Sequence, residues 1–283
     1  MNHHHIIPRG LRAFIGSLFF LVLTAFASIA QQGVAEARDA NYGYVFVFAD
    51  RVNLRAAPSL EADVVATLSE GTALTFVTYM AGPDTVNGQS GNWAQVIHQQ
   101  QVCYVWEPLV TRWVMRSHSD PDHLFLVGKG TVPGETLFKI FYRGEKVQEL
   151  QVQSMKSVEE LQQIRITGSM GVGLVRELIY LEYAAFSCGE MGGDMIFAWD
   201  GTQLRPFFKD WGIGDGGFFE GVRLVLPASP LGEKGVIHVF EVAGEYLNIE
   251  EDDPDALPPI KFDYNRHKRY RWDGTKMVEL ASN

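Results

Sequence analysis

The stretch Ala49-Asp50-Arg51-Val52-Asn53-Leu54-Arg55-Ala56-Ala57-Pro58-Ser59, ADRVNLRAAPS, sets an alternating Asn-Leu-Arg directly before a proline stop. In a strand, successive side chains point to opposite faces, so Leu54 turns to a core while Asn53 and Arg55 turn away from it. Pro58 has no N–H to give to a ladder, so the strand ends before it. The chain resumes at once with Val64-Val65-Ala66-Thr67-Leu68 and stops again at Glu70-Gly71, a turn signal. Gly71 suits the tight turn into the next strand.

The same texture continues outward from this stretch. Tyr44-Val45-Phe46-Val47-Phe48 precedes it, and Ala73-Leu74-Thr75-Phe76-Val77-Thr78-Tyr79 follows. Gly82-Pro83-Asp84 and Asn87-Gly88 punctuate a loop before Trp93-Ala94-Gln95-Val96-Ile97 and Val102-Cys103-Tyr104-Val105. Short strands at this density, with turns between them, predict a small barrel over residues 43–112, with Trp93 as the large aromatic that closes it.

The ordered motifs of this region resemble the bacterial SH3-like (SH3b) module. Asn53-Leu54-Arg55-Ala56-Ala57-Pro58-Ser59, then Val64 to Leu68, Glu70-Gly71-Thr72 and Asn92-Trp93-Ala94-Gln95-Val96 follow the order of that family. Tyr104-Val105-Trp106 stands where its closing Gly-Trp-Val stands, with Cys103 in place of the glycine. The resemblance covers a quarter of the chain. It implies a module that binds cell-wall peptides or proteins, with Asn53, Arg55, Trp93, Tyr104 and Trp106 as candidate contact residues. For each of these, packing or a turn hydrogen bond is the competing reading.

Residues 1–30 stand apart. Arg9 and Arg12 precede Ala13 to Ala30, a run of 18 residues without charge that ends in Ser28-Ile29-Ala30. This is the pattern of a secretory signal peptide, with an uncleaved membrane anchor as the alternative. A polar linker over 31–42 follows. The expected location is therefore periplasmic or extracellular, with contact to a membrane only through an uncleaved signal segment. The formal charge is −10, and it becomes −12 once the two arginines of that segment are removed. Such acidity disfavours nucleic acid as a partner.

From residue 113 to 283 the chain still reads as strands, now in a larger antiparallel β domain that resembles no family. The candidates are Leu124–Val127, Thr136–Tyr142 and Glu145–Val152, with Arg143-Gly144 as a turn, then Gln163–Thr167, Leu178–Tyr183, Asp194–Leu204, Gly221–Leu226 and Val236–Val242. Ser157-Val158-Glu159-Glu160 fits a capping box ahead of one or two helical turns ending near Gln163. Fold class is thus all-β, with a meander, sandwich or propeller-like arrangement after the barrel. FAWDGTQLRP at Phe197–Pro206 and YRWDGTKMVE at Tyr270–Glu279 share Trp-Asp-Gly-Thr 73 residues apart. Convergence on one hairpin turn, with Asp and Gly at positive φ, explains this better than duplication of a β unit.

Sites for chemistry are sparse. Cys103 and Cys188 are either a disulfide formed in an oxidising compartment or two separate buried thiols. Cys188 as a nucleophile would need a partner base, yet His98, His118, His123, His238 and His267 sit in no recognised motif. The His118–His123 segment, HSDPDH, reads as a charged interdomain loop rather than a metal set. Lys209–Gly221, KDWGIGDGGFFEG, reads as a long glycine-rich loop beside core aromatics; weaker alternatives are a calcium loop or a sugar-stacking platform of Phe207, Phe208, Trp211, Phe218 and Phe219. Gly168–Gly173, GSMGVG, lacks the helix of a nucleotide fingerprint, and Glu250–Asp255 is a solvated acidic loop. No cofactor, metal or catalytic residue is expected. The reading is an exported, non-catalytic protein whose SH3b module docks to peptidoglycan or an envelope protein; the alternative is a cell-wall or glycan-acting enzyme with that module as targeting arm.

Overall fold

A computed structural model describes residues 43–246 and 260–281, except 81, 87, 186 and 216. The expected signal segment (1–30), the expected linker (31–42) and the acidic Glu250–Asp255 stretch lie outside the described residues. Among those described, strands dominate, helix is confined to two 3-10 turns of three residues each, and no helix is long and apolar enough to cross a membrane.

The first sheet holds β1 (Tyr44–Val47), β2 (Val52–Arg55), β3 (Val64–Leu68), β4 (Ala73–Tyr79), β7 (Trp93–His98), β8 (Gln101–Trp106) and β9 (Val110–Thr111), in the order β3-β2-β8-β7-β4-β1-β9. A separate small hairpin, β5 (Asp84–Val86) and β6 (Gln89–Gly91), occupies what the sequence presented as loop. Leu54, Val45, Val47, Leu74, Val96 and Val105 form the core of the first sheet. Gly71 takes φ 79 at the turn after Glu70. Trp93 departs from the expectation. It alternates out of step with the core residues Ala94 and Val96, so it lies on the opposite face, pairs with Trp106 across the ladder, and packs edge-on against it at 5.5 Å.

The second sheet is β10 (Trp113–Arg116), β11 (His123–Lys129), β12 (Glu135–Tyr142) and β13 (Glu145–Gln153), paired in chain order. Both faces of its central strands are covered, and β11 reads HLFLVGK with six consecutive buried residues. Phe125, Val127, Phe138 and Ile140 pack one way, against the third sheet. Leu124, Leu126, Leu137 and Phe141 pack the other way, against Phe48 and Phe46. Gly128 belongs to this second face: a Cβ there would sit 2.5 Å from the Phe48 ring, so glycine lets the two layers close.

The third sheet is an eight-stranded meander in chain order: β14 (Leu161–Gly168), β15 (Glu177–Tyr183), β16 (Gly192–Trp199), β17 (Leu204–Asp215), β18 (Phe218–Val225), β19 (Ile237–Tyr246), β20 (Ile260–Trp272) and β21 (Met277–Glu279). One face packs on the second sheet through Ile179, Leu181, Tyr183, Phe197 and Trp199. The other carries its own core, which joins Leu178, Tyr180 and Ile196 to Phe207, Ile237 and Trp272. Sequence-distant strands meet there.

Local signals resolve with some corrections. The capping box at Ser157 is present, and the turn it caps is a single 3-10 turn, Val158–Glu160, which ends before Gln163 because β14 starts at Leu161. The Lys209–Gly221 segment is not a long loop but the hairpin of β17 and β18. The two Trp-Asp-Gly-Thr segments form the same turn. Asp200 Oδ1 accepts from the backbone N–H groups of Thr202 and Gln203 and from the Thr202 hydroxyl; Asp273 Oδ1 does the same with Thr275 and Lys276. Only the glycines, Gly201 and Gly274, take positive φ, 101° in both, and neither aspartate does.

One charge sits in the seam between the first two sheets. Lys139 on β12 is 7% exposed; its Nζ donates to the Phe48 carbonyl at 2.7 Å and to the Glu70 carboxylate. Lys146 closes the other side of Glu70 at 2.8 Å. Burial alone would raise the Glu70 pKa, but the hydrogen bonds from the two lysines outweigh it and hold the carboxyl below its ordinary 4.5. A lowered folded value means the stabilisation is complete above 4.5 and is lost as pH falls through the folded pKa. Glu70→Ala leaves Lys139 buried without its counter-ion and is expected to cost about 3 kcal/mol in urea unfolding. Lys139→Met removes the buried cation, keeps Glu70 on Lys146, and should change stability by no more than about 1 kcal/mol. Equal losses in the two variants would mean that the charge is not the controlling term.

Candidate functional site

The alternation of the first sheet decides where its candidate residues go. Val52 and Leu54 turn inward, so Asn53 and Arg55 turn outward. Asn53 Oδ1 accepts from Thr67 Oγ1 at 2.7 Å, and Arg55 Nη1 donates to the Ala62 carbonyl at 2.7 Å. Both side chains thus help fix the β2–β3 hairpin. Trp93 and Trp106 are buried, each about 4% exposed, and Trp93 Nε1 donates to Asp84 Oδ2 at 3.3 Å. The β5–β6 hairpin therefore lies against this tryptophan pair. Of the three aromatic candidates, Tyr104 alone is not buried but of intermediate exposure.

Register then assembles a surface that single residues did not reveal. Arg55, Tyr104, Gln95 and Thr78 are successive cross-strand partners on β2, β8, β7 and β4. Beside them runs a second row, Val102, Ile97, Thr75 and Tyr44, on β8, β7, β4 and β1. Val102 and Tyr44 are each about half exposed, at 48% and 50%. Val77, at the β4 bulge, adds a further exposed apolar group. The result is a belt of aromatic, aliphatic and amide groups whose one cation is Arg55. Tyr44, Ile97 and Val102 were not singled out from sequence; the outward phase of each strand was the available signal.

A second cluster lies on the third sheet. Asp194 on β16 and Asp210 on β17 are direct cross-strand partners, and Glu182 on β15 stands on the other side of Asp194. Arg165 Nη2 reaches Asp194 Oδ2 at 3.1 Å and lies 3.7 Å over the Tyr180 ring. Arg223 binds the Asp210 carboxylate, whose Oδ2 also accepts from Leu224 N–H at 3.1 Å. Gly193 permits the close approach of these strands, because a Cβ there would fall 2.0 Å from the Asp210 carbonyl oxygen. Burial pushes Asp194 up to about 7, against the pull of Arg165 and with further help from Asp210 and Glu182. Burial likewise raises Asp210, against Arg223. Two carboxyls that share a site are pushed apart in protonation, which is the setting for acid–base work as well as for a structural ion row. Only Asp210 of this set was visible in sequence, and for a different reason.

The other sequence sites separate. Cys103 is buried in the first core and Cys188 is exposed in the β15–β16 connection; both are free thiols, so the possible disulfide is not formed, and Cys188 is not a buried thiol either. In the His118–His123 segment, Asp122 pairs with Arg143 at 2.8 Å and Asp120 lies 3.1 Å from His123 Nδ1, without the alignment of a hydrogen bond. Ser117 Oγ, just ahead of this segment, and Ser119 N–H within it donate to the buried Glu177, which ties this β10–β11 connection to β15. The calcium alternative fails, since Asp210 faces Arg223 while Glu220 accepts from Tyr264 at 2.7 Å. The aromatics also divide: Phe207 and Phe208 join the inner core, while Phe219 packs near Tyr246 and Phe262 at 5.0 and 6.3 Å. Among the described residues, no three His, Cys, Asp or Glu side chains group to hold a metal. Comparison with known protein families, curated proteins and solved structures finds no match.

The raised Asp194 has a measurable consequence. A folded pKa above the unfolded one means that the folded state holds the proton more tightly, so this group's stabilising contribution is present at low pH. It is lost as pH rises from about 4 to about 7. Asp194→Asn is expected to reduce the fall of the melting temperature between pH 5 and pH 8, with Asp210 supplying the remainder. An unchanged pH slope would show that Asp194 ionises normally.

Proposed function

We propose that this chain is an exported bacterial envelope protein that binds rather than catalyses, and that its first sheet is an SH3b-like module docking on peptidoglycan or on an envelope protein. The observation that supports this most is the paired cross-strand rows of Tyr104, Gln95, Ile97, Val102 and Tyr44, which leave aromatic and aliphatic groups open beside hydrogen-bonding side chains. Such a mixture suits sugar rings and peptide backbone: aromatic faces stack, and amides and hydroxyls supply the directional bonds. The motif order from Asn53 to Trp106 supports the same assignment. Here Trp93 and Trp106 lie on the same face at the end of the belt, against the β5–β6 hairpin, and Tyr104 with its neighbours makes the contact.

A second reading rests on the Asp194–Asp210 pair. Two carboxyls of raised pKa on adjacent strands are the residue types that a glycan-cleaving enzyme uses as acid and base. Release of soluble fragments from peptidoglycan by the wild-type chain, abolished in Asp194→Asn, would favour this reading over the binding one.

Sedimentation with purified sacculi tests the binding proposal. The wild-type chain is expected to co-sediment, and Tyr104→Ala and Ile97→Asp should each weaken retention about tenfold or more. Val147→Asp, at an exposed apolar position on β13, should leave retention unchanged. Sacculi that retain none of the wild-type chain would remove the peptidoglycan version. Crosslinking in envelope extracts that traps no protein at the belt would remove the other.

A further inference from the structure

His238 and His267 lie on neighbouring strands, β19 and β20, two positions apart in register, with Phe240 opposite His267 and Arg269 opposite His238. Their side chains meet: His238 Nδ1 stands 2.9 Å from His267 Nε2. The Phe240 ring lies nearly parallel to His267, 9° apart at 4.6 Å, which restricts that imidazole to one plane. On the far side of His238, Nε2 faces Glu233 Oε2 at 3.5 Å. Glu233 is itself held by Arg269 Nη2 at 2.7 Å. A carboxylate at Nε2 favours the tautomer with the proton there. It leaves the Nδ1 lone pair aimed at the nitrogen of His267. An imidazole oriented through its remote nitrogen by a carboxylate is the arrangement found around bound metal ions.

We propose that His238 and His267 are the two protein ligands of a divalent late-transition-metal site, with Glu233 as the positioning residue and water in the remaining coordination positions. Metal–imidazole bonds are about 2.0–2.1 Å, so two tetrahedral ligands stand about 3.3 Å apart. Opening the pair from 2.9 Å is a small rotation of side chains, and His267 is exposed to solvent. Imidazole donors without thiolate suit Cu²⁺ and Zn²⁺, and the ordinary order of affinities places Cu²⁺ first. The charge of Arg269 is met by Glu233, which limits its repulsion of an incoming cation. Because no third protein ligand joins the pair among the described residues, the ion keeps open positions and ties β19 to β20.

Calorimetric titration of the full chain with CuSO₄ and with ZnCl₂ tests this, in a background where His3, His4 and His5 are alanine. One ion per chain should bind, with Cu²⁺ at least tenfold tighter than Zn²⁺, and metal at a hundred times its Kd should raise the melting temperature by roughly 5 °C. His238→Gln and His267→Gln should each lower affinity tenfold or more while the metal-free melting temperature stays within about 2 °C of the parent. His98→Gln should change nothing. Glu233→Gln should weaken binding by about tenfold with the two-nitrogen signature retained, as a positioning role requires. The Cu²⁺ electron paramagnetic resonance spectrum should carry two imidazole nitrogens. No saturable binding, a spectrum with fewer than two nitrogens, or affinity that survives His267→Gln would overturn the proposal.

Discussion

A four-stranded sheet whose two central strands are covered on both faces constrains everything around it. β11 and β12 present Phe125, Val127, Phe138 and Ile140 to one neighbour and Leu124, Leu126, Leu137 and Phe141 to the other. Two layers must therefore close on it at once, and each must supply an apolar face of its own. The first sheet does so with Phe46 and Phe48, and the meander does so with β15 and β16. The region that resembles a binding module is thus packed against the second sheet, not strung from it on a flexible tether.

A doubly covered sheet tolerates polarity only where a partner is built in. Lys139 occupies a position where its neighbours Leu137 and Phe141 are apolar, and it is neutralised by Glu70 from the turn that Gly71 makes. The same turn places Gly71 against the Phe141 ring, where a Cβ would stand 3.1 Å away. Charge, turn and close packing meet at one seam, so the geometry of the Glu70-Gly71 turn and the docking of the two sheets specify each other. Glu177 plays the matching part at the other seam, where it receives Ser117 and Ser119 of the connection between β10 and β11.

The β class and most strands were legible because alternation and turn residues are local. Arg143-Gly144 sets its turn through positive φ at both residues, and the Trp-Asp-Gly-Thr turns are held by their own aspartate side chains. Layering was less legible. A run such as Leu124–Val127 shows that a strand is buried on both faces, but not which sheets cover it. The glycines of Lys209–Gly221 read as loop, yet Gly212, paired with Gly221, lies inside the ladder beside the Arg223 guanidinium. Trp93 reads as a barrel-closing residue because it is large, but its phase relative to Ala94 and Val96 puts it on the opposite face. Candidate sites were least legible, because each depends on register. Tyr44 and Val102 are 58 positions apart and become parts of one row only through β4 and β7. Asp194 and Asp210, or His238 and His267, become pairs only when the strands align.

The distribution of charge separates the surfaces by role. The chain is acidic, −10 overall, yet the belt on the first sheet contains no acid and one arginine. Charged groups are instead matched to one another, in the Glu70 seam and in the Arg165–Asp194–Asp210–Arg223 row. A belt of this kind attracts a ligand through stacking, aliphatic contact and hydrogen bonds, and these are screened little by salt. An acidic protein that worked by long-range attraction would need an unmatched cationic face against a polyanion, and the belt does not supply one. Contact with a largely uncharged glycan or peptide surface asks for no such field. The proposed docking face and the acidity of the chain are therefore compatible, because the one operates at van der Waals range and the other keeps polyanions away.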